Sequence, residues 1–380
     1  MKVMIVVTHL LGTGHLSRAL TLGHAFRKAG HEVLLVSGGM PAPQLSAVGI
    51  EMLGLPPLRS DGTDFTRLLT ETGEVADPAY LQSRADALAG AVTRFAPDVL
   101  LTELFPFGRR VLSSEFETLL DAAHTLTPRP VVLSSIRDIL APPSKPSKVA
   151  RTEAVVARHY DGVLVHSDPQ GTRLETSWPV SDTLAERLHY TGYVAPAPAA
   201  PHPENLGAGE ILVSAGGGSV GDPIFRAAVE AAGRITDRRW RLLVGGRDAA
   251  DRIRELERLA GDTPILIEPT RPDFRQMLPL AAASVSMCGY NTALDLLQGG
   301  TPAVFIPFDD GKEVEQGLRA QSLAHLSAIE VLASADLTGA TLADAVGRVI
   351  TAGPRPDLAL SFDGAARSVA ITESLVGALR

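Results

Sequence analysis

The chain has 380 residues, with 35 Lys or Arg against 43 Asp or Glu and a formal net charge of −8. That length exceeds one ordinary hydrophobic core and predicts two domains, and the acidic balance with only 5% aromatic residues argues against nucleic acid as a partner. The single cysteine, Cys288, excludes an internal disulfide and fits a reducing, cytoplasmic compartment. The opening run VMIVVTHLL is too short to span a bilayer and ends in a glycine loop, so 2–9 reads as a buried strand rather than a leader. Residues 10–15 form that loop, and 16–29 an amphipathic helix ended by Gly30. Strands follow at 32–37 and 51–55, then a polar stretch to Asp77 that reads as loop. A helix at 80–95 leads through Pro97–Asp98 into a strand at 99–103. Further strands fall at 131–136 and 163–165, with helices near 115–123 and 149–159. Alternating βα units of this kind predict a parallel sheet covered on both faces.

Residues 195–209 are rich in Pro and Ala and read as a stiff linker. The alternation then restarts: strand 210–215, a glycine loop at Gly216, Gly217 and Ser219, helix 223–235, and strands at 240–244 and 264–267. The longest charge-free run, 276–294, is broken by Pro279, Ser284, Ser286, Gly289 and Asn291, so no stable membrane insertion is expected. The fold class that follows is α/β, two doubly wound Rossmann-like domains facing each other across a cleft. Their expected bounds are 1–194 and 210–364.

The second domain is organised around 284–308, which reads as strand, tight turn, helix, tight turn, strand. Asn291 or Thr292 can cap the helix, Gly299–Gly300 stops it, and 303–308 is the next strand. A helix start at the carboxyl edge of a parallel sheet, here Gly289 to Thr292, offers unpaired amides to a diphosphate without a metal. Asp295, one turn in, can accept from both hydroxyls of a ribose. The same pattern also fits an ordinary βαβ unit with a solvated Asp295.

Other chemistries are less well served. Gly12–Thr13–Gly14 lacks the third glycine of a dinucleotide fingerprint, and Glu32 falls too early for its ribose carboxylate, so no nicotinamide or flavin cofactor is expected. GxxxxGK[ST] is absent, which disfavours a P-loop enzyme. Asp309–Asp310 has no His or third carboxylate at ligand spacing, so no metal is expected.

Taken in order, GTGH, the proline-rich linker, SAGGG, the CGYNT helix and EQGLRAQSL resemble UDP-sugar glycosyltransferases of the GT-B architecture. The chain is similar in particular to the peptidoglycan N-acetylglucosaminyltransferases that form lipid II. Through ELFPFGRR and YNTALDLL it is also similar to bacterial predicted glycosyltransferases. The resemblance implies metal-independent, inverting transfer from a UDP-sugar, such as a UDP-N-acetylhexosamine, to a small-molecule or lipid-linked acceptor. It also implies a C-terminal helix, about 365–380, packed back on the first domain.

Carried over by position, the resemblance makes Asp295 the ribose ligand, where the peptidoglycan enzymes have the longer Glu. Glu315 and Gln316 would contact the donor sugar, and the loop 268–274, with Arg271 and Phe274, the uracil edge. Gly14, Gly216, Gly217 and Ser219 would face the diphosphate, and His15 would lie near the reacting carbon. An acceptor hydroxyl must lose a proton, and His15, Glu103 and Asp138 are the candidate bases in that order. Phe105 and Phe107 would form an apolar acceptor wall, favouring transfer over hydrolysis. Arg109 and Arg110 would hold an anionic acceptor group. A UDP-sugar hydrolase, a UDP-sugar 2-epimerase and a non-catalytic nucleotide-sugar-binding regulator remain open alternatives.

Overall fold

The computed structural model describes residues 1–379 apart from 44, 63, 217, 219, 310–312, 357 and 358. The chain falls into two units, Met1–Pro169 with Arg173–Val194 and Ser361–Arg380, and Gln170–Thr172 with Ala195–Leu360.

In the first unit, β1 (Lys2–Val7), β2 (Glu32–Gly39), β3 (Glu51–Asp61), β4 (Asp64–Leu69), β5 (Val99–Glu103), β6 (Val131–Arg137), β7 (Gly162–His166) and β8 (Leu188–Tyr190) form one sheet. Its order is β4-β3-β2-β1-β5-β6-β7-β8, parallel except where β4 turns back on β3. The connections carry α1 (Gly14–Lys28), α2 (Pro78–Phe95), α3 (Ser113–His124), α4 (Pro146–His159) and the short α5 (Asp182–Ala185). Successive strand residues face opposite sides, and most positions on both faces are apolar. Met4, Val6, Leu34, Val36 and Leu100 therefore pack under α2 and α3 with Leu88, Val92, Phe116 and Leu119. Val3, Ile5, Val7, Val99, Leu101 and Leu133 pack on the other face with Leu16, Ala19 and Phe26 of α1. The C-terminal helix Gly364–Leu379 completes that second layer through Val369 and Val376, and Glu373 meets His31 at 3.0 Å.

The stretch 56–77, expected to be loop, is instead largely the β3–β4 hairpin. Gly54, Pro56 and Pro57 hide its period-2 pattern, and the prolines fit because they fall where the β2–β3 register shifts, between the Ser37–Gly54 and Gly39–Leu58 pairs, and before β3 begins to pair with β4 at Arg59.

In the second unit, β9 (Ile211–Ser214), β10 (Trp240–Val244), β11 (Ile265–Pro269), β12 (Ala283–Ser286), β13 (Ala303–Phe305) and β14 (Ile329–Val331) form a parallel sheet of order β11-β10-β9-β12-β13-β14. Its helices are α6 (Asp222–Ala232), α7 (Ala249–Ala260), α8 (Phe274–Met277), α9 (Tyr290–Gly299), α10 (Glu315–Leu323) and α11 (Gly339–Ala352). The order reverses between β9 and β12, and in such sheets ligands bind beyond the strand ends at that reversal. In the first sheet the corresponding reversal lies between β1 and β5.

The Pro- and Ala-rich segment is not a free spacer. Its carbonyls and amides are fastened to the second unit: His202 N donates to Gln276 O at 2.8 Å and Gly209 N to Leu280 O at 2.9 Å. Gln298 Nε2 donates to Pro196 O at 3.0 Å. Proline lacks an N–H but keeps its acceptor, so a proline-rich strap can still be tied down.

A buried ion pair joins α2 to α3. Arg84 Nε and Nη2 donate to Glu115 Oε2 and Oε1 at 2.8 and 3.0 Å, and Nη1 donates to Gly38 O at 3.0 Å. Gly38 is required there, because a Cβ would stand 2.4 Å from Thr8 Oγ1 and 2.5 Å from Arg84 Nη2. Glu115→Ala, which strands a guanidinium that is 0% exposed, is expected to cost about 3–5 kcal/mol in urea unfolding.

Candidate functional site

At the reversal of the first sheet, the chain leaves β1 through a glycine loop and enters α1, whose second residue is His15. Glu103 is the last residue of β5 and shares the face of Val99 and Leu101, the face that α1 covers. Helix and strand therefore bring His15 Nδ1 to 2.8 Å from Glu103 Oε1, across 88 residues of sequence. Arg18, one turn along α1, also contacts Glu103 Oε1 through Nη2. Ser135, directly opposite Glu103 on β6, donates Oγ–H to Glu103 Oε2 at 2.7 Å.

These neighbours decide the protonation states. Burial pushes Glu103 up, but the charges and hydrogen bonds of Arg18 and His15 outweigh it and hold the carboxyl well below the usual carboxylate range. Burial, only partly countered by Glu103, pushes His15 down to about 3, so the imidazole is neutral. Glu103 is then an acceptor-only group, and Nδ1 of His15 must carry its proton to donate to it. Nε2 is left as the basic nitrogen.

The structure separates the three candidate bases. The His15 side chain is 17% exposed, whereas Glu103 is 2% and Asp138 1% exposed. Asp138, past the end of β6, is already engaged in interactions of its own. Phe105 and Phe107 are corrected from acceptor wall to core. Phe105 stacks on Phe116 at 4.5 Å, and Phe107 meets the edge of Trp178 at 5.3 Å. The two arginines also part company. Arg109 Nε donates to Thr8 O at 2.5 Å, and its charge depresses both His9 and His15, which places it beside the site. Arg110 donates to Phe107 O at 3.0 Å and lies 5.6 Å over the Trp178 ring, as a packing residue.

In the second unit, α9 begins after Gly289, which is its N-cap, and not after a capping Asn291 or Thr292. A glycine cap brings no side chain to the first turn, and no side-chain hydrogen bond caps this end of α9. Arg319, 3% exposed, backs this turn. Its Nη1 donates to Cys288 O at 3.0 Å and its guanidinium lies 5.6 Å from the Tyr290 ring. Gly216, after β9, adopts φ 78°; Gly217 and Ser219 lie outside the described residues.

Asp295 is 11% exposed at its side chain and accepts from Arg275 Nε at 2.6 Å. Its carboxyl is raised by burial, with Arg275 pulling the other way. Arg271 is tied bidentately to Asp273 at 2.8 and 2.7 Å, while Phe274 is half-buried at the start of α8. Gln316 Oε1 accepts from Phe308 N at 3.2 Å, and Glu315 is half-buried one position before it. Sequence reasoning passed over Arg18, Ser135, His166 and Arg275. Ser135 and His166 carry the same signal as Glu103, a polar residue near the carboxyl end of a buried apolar strand. Arg18 sits at i+3 from His15.

Residues 212–359 match the Glycosyltransferase family 28 C-terminal domain. The chain is 30% identical over 140 residues to the UDP-N-acetylglucosamine–N-acetylmuramyl-(pentapeptide) pyrophosphoryl-undecaprenol N-acetylglucosamine transferase of Levilactobacillus brevis, covering 36% of this chain and 38% of that protein. To the protein of the same description from Mannheimia succiniciproducens it is 27% identical over 172 residues, 44% of this chain and 48% of the relative. The chain thus matches less than half the length of either. Among solved structures, Acinetobacter baumannii MurG superposes with a TM-score of 0.63 at 16% identity, over 99% of this chain and 98% of that one. The glycosyltransferase VinC in complex with dTDP superposes with a TM-score of 0.60 at 15% identity, over 100% and 98%. The fold is therefore that of the two-unit Rossmann-like GT-B glycosyltransferases.

The site's histidines make the first unit acid-sensitive. His15 and His166 are held neutral to about pH 3 in the folded chain, against 6.5 for a free imidazole. Below pH 6.5 the unfolded chain binds the extra protons, so stability falls as pH falls from 6.5 toward 3. The depressed Glu103 adds in the same direction once the unfolded carboxyl protonates. Each histidine is expected to cost about 2 kcal/mol between pH 7.5 and 5. Urea midpoints across that range should fall less steeply in His166→Gln than in the wild type.

Proposed function

We propose that this chain is a glycosyltransferase that moves a sugar from a UDP-sugar to an acceptor hydroxyl, with inversion and without a metal. The observation that carries the reading lies inside the segment matching family 28: a helix at the sheet reversal whose glycine N-cap brings no capping side chain, with a half-buried Asp295 one turn in. The N-terminal turn without a capping side chain and the positive end of α9 suit the charge that builds on a departing diphosphate, so a metal is not required for it. Among the described residues Asp295 Oδ2 has no hydrogen-bond partner, and it is suited to a ribose hydroxyl while Arg275 holds Oδ1.

The first unit supplies the base. An acceptor O–H gives its proton to His15 Nε2 as its oxygen bonds to the anomeric carbon. The bond from that carbon to the diphosphate breaks, and the electron pair leaves with UDP. Glu103 does not take the proton; it holds the tautomer and stabilises the imidazolium as it forms. Arg109, beside His15, suits an anionic group on the acceptor. The two curated relatives are named for transfer from UDP-N-acetylglucosamine to a pyrophosphoryl-undecaprenol acceptor, which supports a UDP-N-acetylhexosamine donor and a lipid-linked, anionic acceptor here. With Phe105 and Phe107 in the core, preference for such an acceptor over water rests on these likenesses and not on an apolar wall.

Mass spectrometry of products formed from a panel of UDP-sugars and a bacterial extract tests the activity: a new glycoside supports transfer, and free sugar alone points to hydrolysis. Asp295→Ala is expected to weaken UDP binding by about 1.5–3 kcal/mol in calorimetry; an unchanged affinity would remove it from the site. His15→Ala should lower kcat by about 10²–10⁴ with UDP affinity intact. Activity should survive chelator, and loss restored by magnesium would contradict the amide-based account.

A further inference from the structure

Glu103 is the near end of a longer row. Ser135 Oγ, which donates to Glu103 Oε2, lies 2.8 Å from His166 Nε2, and His166 Nδ1 lies 2.9 Å from Thr191 Oγ1. These four residues come from β5, β6, the end of β7 and the turn after β8, four neighbours in the sheet, so the row crosses the strands at their carboxyl edge. Strands about 4.8 Å apart let one short side chain from each touch the next. Glu103, Ser135, His166 and Thr191 are 2, 1, 0 and 0% exposed. Apolar residues would pack such a face without desolvation cost, so a continuous polar row is an expense that packing alone does not require.

The protons in this row have one arrangement. Glu103, ionised, only accepts, so Ser135 spends its single hydroxyl proton on Oε2. The contact between Ser135 Oγ and His166 Nε2 then needs a proton on Nε2. Burial keeps His166 neutral, so its Nδ1 is bare and accepts from Thr191. Thr191 Oγ1 also sits 2.8 Å from Gly192 O and 3.3 Å from Val165 O, but Val165 O already accepts from Ser167 N and Thr191 N, and neither carbonyl needs this proton as the bare ring nitrogen does. Thr191 thus donates to His166, His166 to Ser135, and Ser135 to Glu103, while His15 and Arg18 donate to Glu103 from the other side.

We propose that His166 is a positioning residue: through Ser135 it fixes the second oxygen of Glu103, and through Glu103 the tautomer and ring orientation of His15. This deepens the reading of His15 as the base and rests on it. With Oε2 held, the carboxylate cannot rotate, and Oε1 stays aimed at Nδ1. The groups that face His15 are Arg18 on its own helix, Glu103 on β5 and Arg109 beyond β5. Of these, Glu103 is the acceptor that selects the Nδ1–H tautomer.

The test is long-range ¹H–¹⁵N correlation of the histidine rings in the full chain, which reports tautomers directly and needs no substrate. In the wild type, His15 is expected as the Nδ1–H form and His166 as the Nε2–H form. In Ser135→Ala and His166→Leu, a second His15 tautomer should appear. In His166→Gln, whose amide nitrogen can stand where Nε2 stands, His15 should keep its wild-type form. If His15 is unchanged in Ser135→Ala, which loses one hydroxyl and is the variant least liable to misfold, the proposal is overturned. A wild-type His166 of the Nδ1–H form would overturn it as well. Release of UDP from UDP-N-acetylglucosamine should fall about 10–100-fold in Ser135→Ala and in His166→Leu with KM unchanged, and stay near the wild-type rate in His166→Gln. If no protein turns this donor over, the proposed function fails, while the tautomer result still decides the positioning role.

Discussion

A carboxylate shut away from water at the end of a buried strand is the constraint around which the first unit is arranged. Glu103 is 2% exposed, and an ion in that setting is tolerated only with its lone pairs filled. Arg18 and His15 fill one oxygen from the helix side, and Ser135 fills the other from the neighbouring strand. Each partner restricts where its own element can lie. Helix α1 must pass close enough for both i and i+3 side chains to reach, and β6 must run in register with β5 so that Ser135 stands opposite Glu103. The apolar layers of Val3, Ile5, Leu16 and Phe26 hold the elements together, but the ion sets their register at the edge.

The second unit solves its electrostatic problem with backbone in place of side chains. Gly289 caps α9 without a side chain just past β12, at the β9–β12 reversal. Past the strand ends Arg275 is paired with Asp295 and Arg271 with Asp273, while Arg241 pairs with Glu210 and Glu268 from the start of β10. In the donor site proposed above, an anion would then be drawn by fixed dipoles that cost no reorganisation.

Much of the alternation was legible because strands such as 99–103 and 240–244 are unbroken apolar runs bounded by polar turns, and their bounds match β5 and β10. The β3–β4 hairpin was not, since Pro56, Pro57 and Gly54 imitate a loop, and only the register shift between β2 and β3 makes the prolines acceptable in a strand. Helix α7 was passed over because its apolar stripe is thin among arginines and glutamates. His15 and Glu103 stood out as polar residues at element ends, but contact across 88 residues depends on strand order, which no local pattern contains. Phe105 and Phe107 were misplaced for a related reason. An apolar run beside a site reads alike as wall or core, and left-handed turns at Leu104 (φ 71°) and Arg109 (φ 58°) decide where it points. The same turns send Arg109 toward His15 and Arg110 toward Trp178.

The C-terminal helix has a consequence for how the chain is made. The first unit is discontinuous: its last segment, from Ser361 on, follows all of β9 to α11 in the chain. As the chain leaves the ribosome, the sheet that carries Glu103 is therefore complete long before the helix that closes over α1 exists. During that interval Leu16, Ala19 and Phe26, which later pack with Val369 and Val376, lack part of their cover. The second unit, continuous from Ala195 to Leu360 apart from the short Gln170–Thr172 segment, meets no such delay. Synthesis thus finishes the second unit first and leaves the helix bearing His15 to be locked last, by residues more than three hundred positions away in sequence.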